Sequence, residues 1–173
     1  WCWEEDALAF ISGHHETGEP LPATLLERML AARNFQSAMM MMRQIEFSLF
    51  DFRLHREWGT DSVTSVQGLL DEVRAAVAVH IPPDYNRFQN GFSHIFGGGY
   101  AAGYYSYKWA EVLSADAFSR FEEEGIFNRE TGSDFRKCIL ECGGSQPPME
   151  AFVAFRGRKP DIEPLLRHSG IAA

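Results

Sequence analysis

No stripe of lysine and arginine runs anywhere along this chain, and acidic residues outnumber basic ones by 24 to 16, for a formal net charge of −8. That balance excludes nucleic acid and anionic membrane as partners, since both select clustered positive charge. Long apolar runs are lacking too. Stretches such as Ser37–Ile45 are short and broken by Arg43 and Gln44, well under the roughly 20 residues of a membrane span. Cysteine is scarce: Cys2, Cys138 and Cys142 form an odd set without framework spacing, which points to a reducing, cytoplasmic setting rather than a disulfide scaffold.

Other absences concern chemistry. Histidines stand at 14, 15, 55, 80, 94 and 168, none in His-x-x-x-His spacing, so no complete metal site is readable. His14-His15-Glu16 reads as a surface or capping group, because adjacent helical side chains diverge by about 100°. Cys138 and Cys142, at i and i+4, share a helix face without further ligands nearby. Gly97, Gly99 and Gly103 match a relaxed dinucleotide spacing but lack the preceding buried strand that such a site requires. No Gly-x-Ser-x-Gly or Walker sequence occurs, which leaves nucleophilic and phosphoryl-transfer readings without support.

What the chain does have is apolar content sufficient for a core, 45% over 173 residues, arranged with helical rather than strand period. The fold class expected is all-α. Helices are predicted within Trp1–His15, over Pro22–Arg33 and over Phe35–Trp58, the last with Phe35, Met39, Met42, Ile45, Leu49 and Phe52 as its core stripe and Met39–Met42 as core filler. A fourth starts at Ser65 and closes before Pro82-Pro83, and a fifth runs from Trp109 to near Gly125. Shorter ones are expected at Ser133–Glu141, Met149–Phe155 and Asp161–His168. The chain opens on Trp1, with neither a basic leader nor a transit peptide, and reads as a segment cut from something longer.

One passage is not explained by packing. From Phe92 to Trp109 the chain sets His94, the triplet Gly97-Gly98-Gly99 and Tyr100, Tyr104, Tyr105 and Tyr107 within about one loop and one helical turn. Glycines let a backbone move or approach a ligand closely, and His and Tyr supply protons near neutral pH. If the backbone turns helical near Tyr100, then Tyr100, Tyr104 and Tyr107 share one face beside His94, with Tyr105 and Trp109 elsewhere. This is the pattern of a substrate-gripping loop.

The same residues carry a family likeness. Trp1-Cys2-Trp3-Glu4, Ala7 to Ser12, Phe47-Ser48-Leu49-Phe50-Asp51-Phe52-Arg53-Leu54-His55, His94 to Trp109 with Glu111-Val112-Leu113, Phe121–Gly132 and Arg167 to Ile171 together resemble the C-terminal part of the M3 family of zinc metallopeptidases. The resemblance implies the helical C-terminal portion of a zincin-type catalytic domain, acting on short peptides in a deep channel. It implies zinc in the intact enzyme, held by a His-Glu-x-x-His helix and a later Glu that both precede Trp1, so that this chain has no zinc ligands and is inactive alone. Three segments follow: residues 1–80 after the zinc-binding region, 81–103 as connector and Gly-rich substrate loop, and 104–173 as the C-terminal helical part.

By the same resemblance His94, Tyr100, Gly97, Gly98 and Gly99 bind substrate. Tyr107 or Tyr104 stabilises the oxyanion from about 2.7–3.1 Å while zinc activates water. The partners implied are short peptides and the upstream zinc-binding part, with self-association through apolar surface around Trp1 and Trp3. The competing reading is a non-catalytic helical module that binds peptides or a partner.

Overall fold

The computed structural model describes residues 1–60 and 63–171. Among the described residues nine α-helices follow one another: α1 Glu5–Ile11, α2 Ala23–Ala32, α3 Ser37–Glu57, α4 Val66–Val77, α5 Phe88–Gly91, α6 Ser106–Glu124, α7 Arg129–Phe135, α8 Pro148–Arg156 and α9 Glu163–His168. A 3₁₀ turn, Ser93–Ile95, precedes the glycine triplet, and a π-helical turn, Arg136–Leu140, continues α7. Among the described residues there is no strand, and no helix is long and apolar enough to cross a membrane. The last two positions of the expected segment 104–173, and residues 61 and 62 of segment 1–80, lie outside the described residues.

The boundaries follow local chemistry. Ser65 accepts the Gly68 N–H at 2.9 Å and so starts α4 where an N-cap serine should. Asn128 accepts the N–H groups of Glu130 and Thr131, which starts α7 four residues ahead of the expected Ser133. At the end of α6, Gly125 takes φ +115, a conformation that stops the helix where the sequence indicated.

Helix α3 buries a different face from the one its apolar spacing predicts. Phe35 is 78% exposed, and Met39, Met40, Leu49 and Phe52 are exposed as well; the buried residues are Glu46, Phe50, Asp51 and Leu54. The physical reason is a buried ion pair. Glu46 Oε1 accepts from Arg74 Nε of α4 at 3.0 Å and from Arg43 at 2.9 Å, while Arg74 Nη2 donates to Asn86 Oδ1. Charged residues that satisfy one another can line a core face, and a hydrophobic pattern does not see them.

Two cores result. Phe50, Leu54, Leu69, Leu70, Val73 and Ile95 join α3, α4 and the turn before the glycines. Ala117, Phe121, Phe152 and Phe155 join α6 to α8, with Phe135 of α7 against them. The glycine-rich passage is rooted in the first core through Ile95 and leads into the helix that carries the second.

Candidate functional site

Between Ile95 and α6 the backbone makes a series of tight turns. The Gly97 N–H donates to Ser93 O at 2.8 Å, and a Cβ on Gly97 would stand 2.9 Å from that oxygen, so no side chain fits there without a shift. Gly98 and Gly99 hold φ +69 and +78. The triplet therefore has a conformational reason to be glycine, in a turn of defined shape. Gly99→Ala, whose new methyl would meet nothing within 4 Å, is expected to cost about 1–2 kcal/mol from backbone strain alone. Faster proteolytic cleavage across residues 97–104 would register it.

Helix α6 begins only at Ser106, so Tyr100 and Tyr104 sit on turns rather than on the helix, yet the rings still converge. Tyr100 stacks on Tyr107 with centroids 5.3 Å apart and planes 16° from parallel. Tyr104 meets Tyr107 at 5.2 Å. His94 stands 5.1 Å from Tyr100, 5.4 Å from Tyr104 and 6.1 Å from Tyr107. Beneath them Phe92 packs against both His94 and Tyr104, and Phe47 lies against Tyr104. Tyr105 is turned toward Phe52 instead.

The phenols differ in what holds them. The Tyr104 hydroxyl donates to Gln44 Oε1 of α3 at 2.9 Å, and burial raises its pKa. Tyr107 is 40% exposed. Its pKa is pushed up to about 12, first by the hydroxyl of the stacked Tyr100 and then by desolvation. Both phenols thus carry their protons throughout the neutral range and act as donors. Tyr107 is partly exposed with its hydroxyl beside that of Tyr100, whereas Tyr104 is committed to Gln44.

Two contributors come from α3 and were not among the expected site residues: Gln44, and the buried Asp51, whose carboxylate oxygens accept the backbone N–H groups of Ala102 and Tyr104. An acid between Phe50 and Phe52 in an apolar helical run is the one sign in the sequence that could have marked the second. A cavity of about 890 Å³ is lined by Leu54, Trp58, Val66, Phe92, Ile95 and Phe96 together with His55, Gln89, Asn90 and Ser93, and by none of the four ring residues. Its walls are mainly apolar, and the three phenols lie outside it.

For a metal, the described residues bring three ligand-type side chains together at His14, His15 and Glu16, all exposed, with ligand atoms within 4.8 Å of one another. His14 Nδ1 accepts the N–H groups of Glu16 and Thr17 at 3.3 and 3.4 Å, so the ring caps its own turn. A metal at Nε2 would need the proton on Nδ1, facing two donors, and a metal at Nδ1 would displace both. This group does not fit a zinc centre.

The profile described as peptidase family M3 matches residues 1–171. The chain is 61% identical over 171 residues to Oligopeptidase A of Escherichia coli (strain K12), covering 99% of this chain and 25% of that protein. It is 48% identical over 177 residues to the chloroplastic/mitochondrial organellar oligopeptidase A of Arabidopsis thaliana, covering 100% and 22%. Against the dipeptidyl carboxypeptidase of Escherichia coli (strain K12) the identity is 35% over 176 residues, covering 99% and 25%. The chain spans about a quarter of the length of these relatives. A family match over nearly every residue, on an all-helical scaffold that gathers His94 and three tyrosines, means that this chain belongs to peptidase family M3.

Proposed function

We propose that this chain is the part of a zinc-dependent oligopeptidase that grips a short peptide and donates a hydrogen bond to the oxyanion. The observation that carries the reading is the convergence of His94, Tyr100, Tyr104 and Tyr107 around one another, with the protonated Tyr107 partly exposed. Tyr107 is the donor to the oxygen that becomes negative as the carbonyl turns tetrahedral. His94 and Tyr100 orient the peptide, and Gly97, Gly98 and Gly99 let its backbone come close. Tyr104, held by Gln44, sets the position of its neighbour.

The zinc that family membership implies is, on this reading, held by residues of the full-length protein beyond this chain, and the steps assigned above are those of this chain's own side chains. A reducing, cytoplasmic setting fits the three free thiols of Cys2, Cys138 and Cys142. The test is cleavage of a short quenched-fluorescent peptide by the full-length protein carrying this chain. Hydrolysis that a chelator abolishes is the expected result. Peptide binding without cleavage would favour a non-catalytic binding module instead.

A further inference from the structure

Asp51 lies on α3 in the first core, fully buried, and among the described residues no arginine or lysine pairs with it. Its two oxygens are spent on backbone far away in sequence. Oδ1 accepts the Ala102 N–H at 3.2 Å and Oδ2 accepts the Tyr104 N–H at 3.0 Å. One helical turn on, His55 Nδ1 lies 3.2 Å from Oδ1 and 2.9 Å from the Asp51 carbonyl, a third donor behind the carboxylate. Ala102 takes φ +56, one of two non-glycine residues of the described chain in the left-handed region. Such a conformation persists only where the surroundings over-determine it. Here the fixing contact is the Asp51 carboxylate.

We infer that Asp51 is the positioning residue of the tyrosine cluster: it fixes the backbone of Ala102 and Tyr104, and through Tyr104 the placement of Tyr107. The inference rests on the peptidase reading above. The other fully buried aspartate among the described residues, Asp116, makes the contrast. It accepts from Arg156 and Arg158 and from the Asp161 N–H, and it ties the C-terminal segment to α6 rather than any part of the ring cluster. Asp51 contacts no substrate on this account and acts through the residues it holds.

Asn in place of Asp51 keeps the volume but turns an NH₂ toward one of the two N–H donors, so either Ala102 or Tyr104 loses its acceptor. In the full-length protein, Asp51→Asn is expected to lower kcat for a short peptide by about 10–100-fold with KM within about threefold, because an error of about 1 Å in a catalytic group costs on the order of 10²-fold. Combining it with Tyr107→Phe should lower kcat no more than about threefold below Tyr107→Phe alone, since both changes remove one contribution. Effects that multiply would overturn the inference, as would a wild-type kcat in Asp51→Asn. Should Asp51→Asn not fold, His55→Gln takes its place: about 3–10-fold lower kcat, with the same lack of additivity, and a wild-type kcat overturns it. Amide exchange across residues 100–105 separates this inference from the reading beneath it. If Tyr107→Phe is fully active the oxyanion assignment fails, while exchange at Tyr104 at least about tenfold faster in the Asp51 or His55 variant still establishes the positioning, and unchanged exchange overturns it.

Discussion

Replacing Tyr107 by phenylalanine in the full-length protein is expected to lower kcat for short peptides by about 10²–10³-fold while KM stays nearly constant. The size is that of losing one oxyanion donor, about 2.7–4 kcal/mol. The split between the two constants follows from timing, because a donor aimed at the charged oxygen interacts weakly with the neutral carbonyl of the bound substrate. Tyr107 suits that role better than Tyr104. The Tyr104 hydroxyl is engaged by Gln44, and freeing it for substrate would leave an acceptor unpaired, whereas Tyr107 is 40% exposed and its hydroxyl partner, Tyr100, belongs to the same ring surface, with the Tyr107 pKa pushed up to about 12. The proton is therefore retained across any practical assay range, and no alkaline loss of rate from Tyr107 is expected below about pH 11. Tyr104→Phe should cost less than Tyr107→Phe. The reverse order in steady-state kinetics would exchange their roles.

Asp116→Ala is expected to destabilise the fold by about 3–5 kcal/mol, the cost of removing one partner from a buried charge network. Asp116 is fully buried on α6 and accepts from both terminal guanidinium nitrogens of Arg158, from Arg156 Nε and from the Asp161 backbone N–H, with Ser119 close by. Without the carboxylate, Arg156, which is 9% exposed at its side chain, keeps Glu123 and Ser119 as its side-chain partners among the described residues. Burial alone would raise the Asp116 pKa. Arg158, the Asp161 N–H and Arg156 outweigh it, and the net direction is down. A carboxyl whose folded pKa lies below its unfolded value contributes stability above the ordinary Asp range near 3.8, and that contribution fades as pH falls through the lowered value. Denaturant unfolding at pH 7 and again below pH 3 should show the gap between wild type and Asp116→Ala narrowing in acid.

Much of the helical order was legible because its signals are local. The glycine after α6, the capping serine before α4 and the proline pair after it each act within a few residues. The buried face of α3 was not legible, since the buried partner of Glu46 is Arg74, which stands 28 residues on. The short α5 and the π-helical turn carried no periodic signal long enough to register. At the site, the gathering of His94, Tyr100, Tyr104 and Tyr107 was readable from their spacing, although the backbone reaches it by turns rather than by a helix. Asp51 and Gln44 were hidden because their partners lie 51 to 60 positions away and two of those partners are main-chain groups.

The central claim is that the surface formed by His94, Tyr100, Tyr104 and Tyr107 is where the peptide is gripped. A short peptide bearing a photoactivatable side chain, irradiated on the full-length protein and mapped by tandem mass spectrometry, tests it most directly. Labelling concentrated within residues 94–107, competed away by unlabelled peptide, is the result predicted. Competed labelling elsewhere in the protein, with none between His94 and Tyr107, would contradict it.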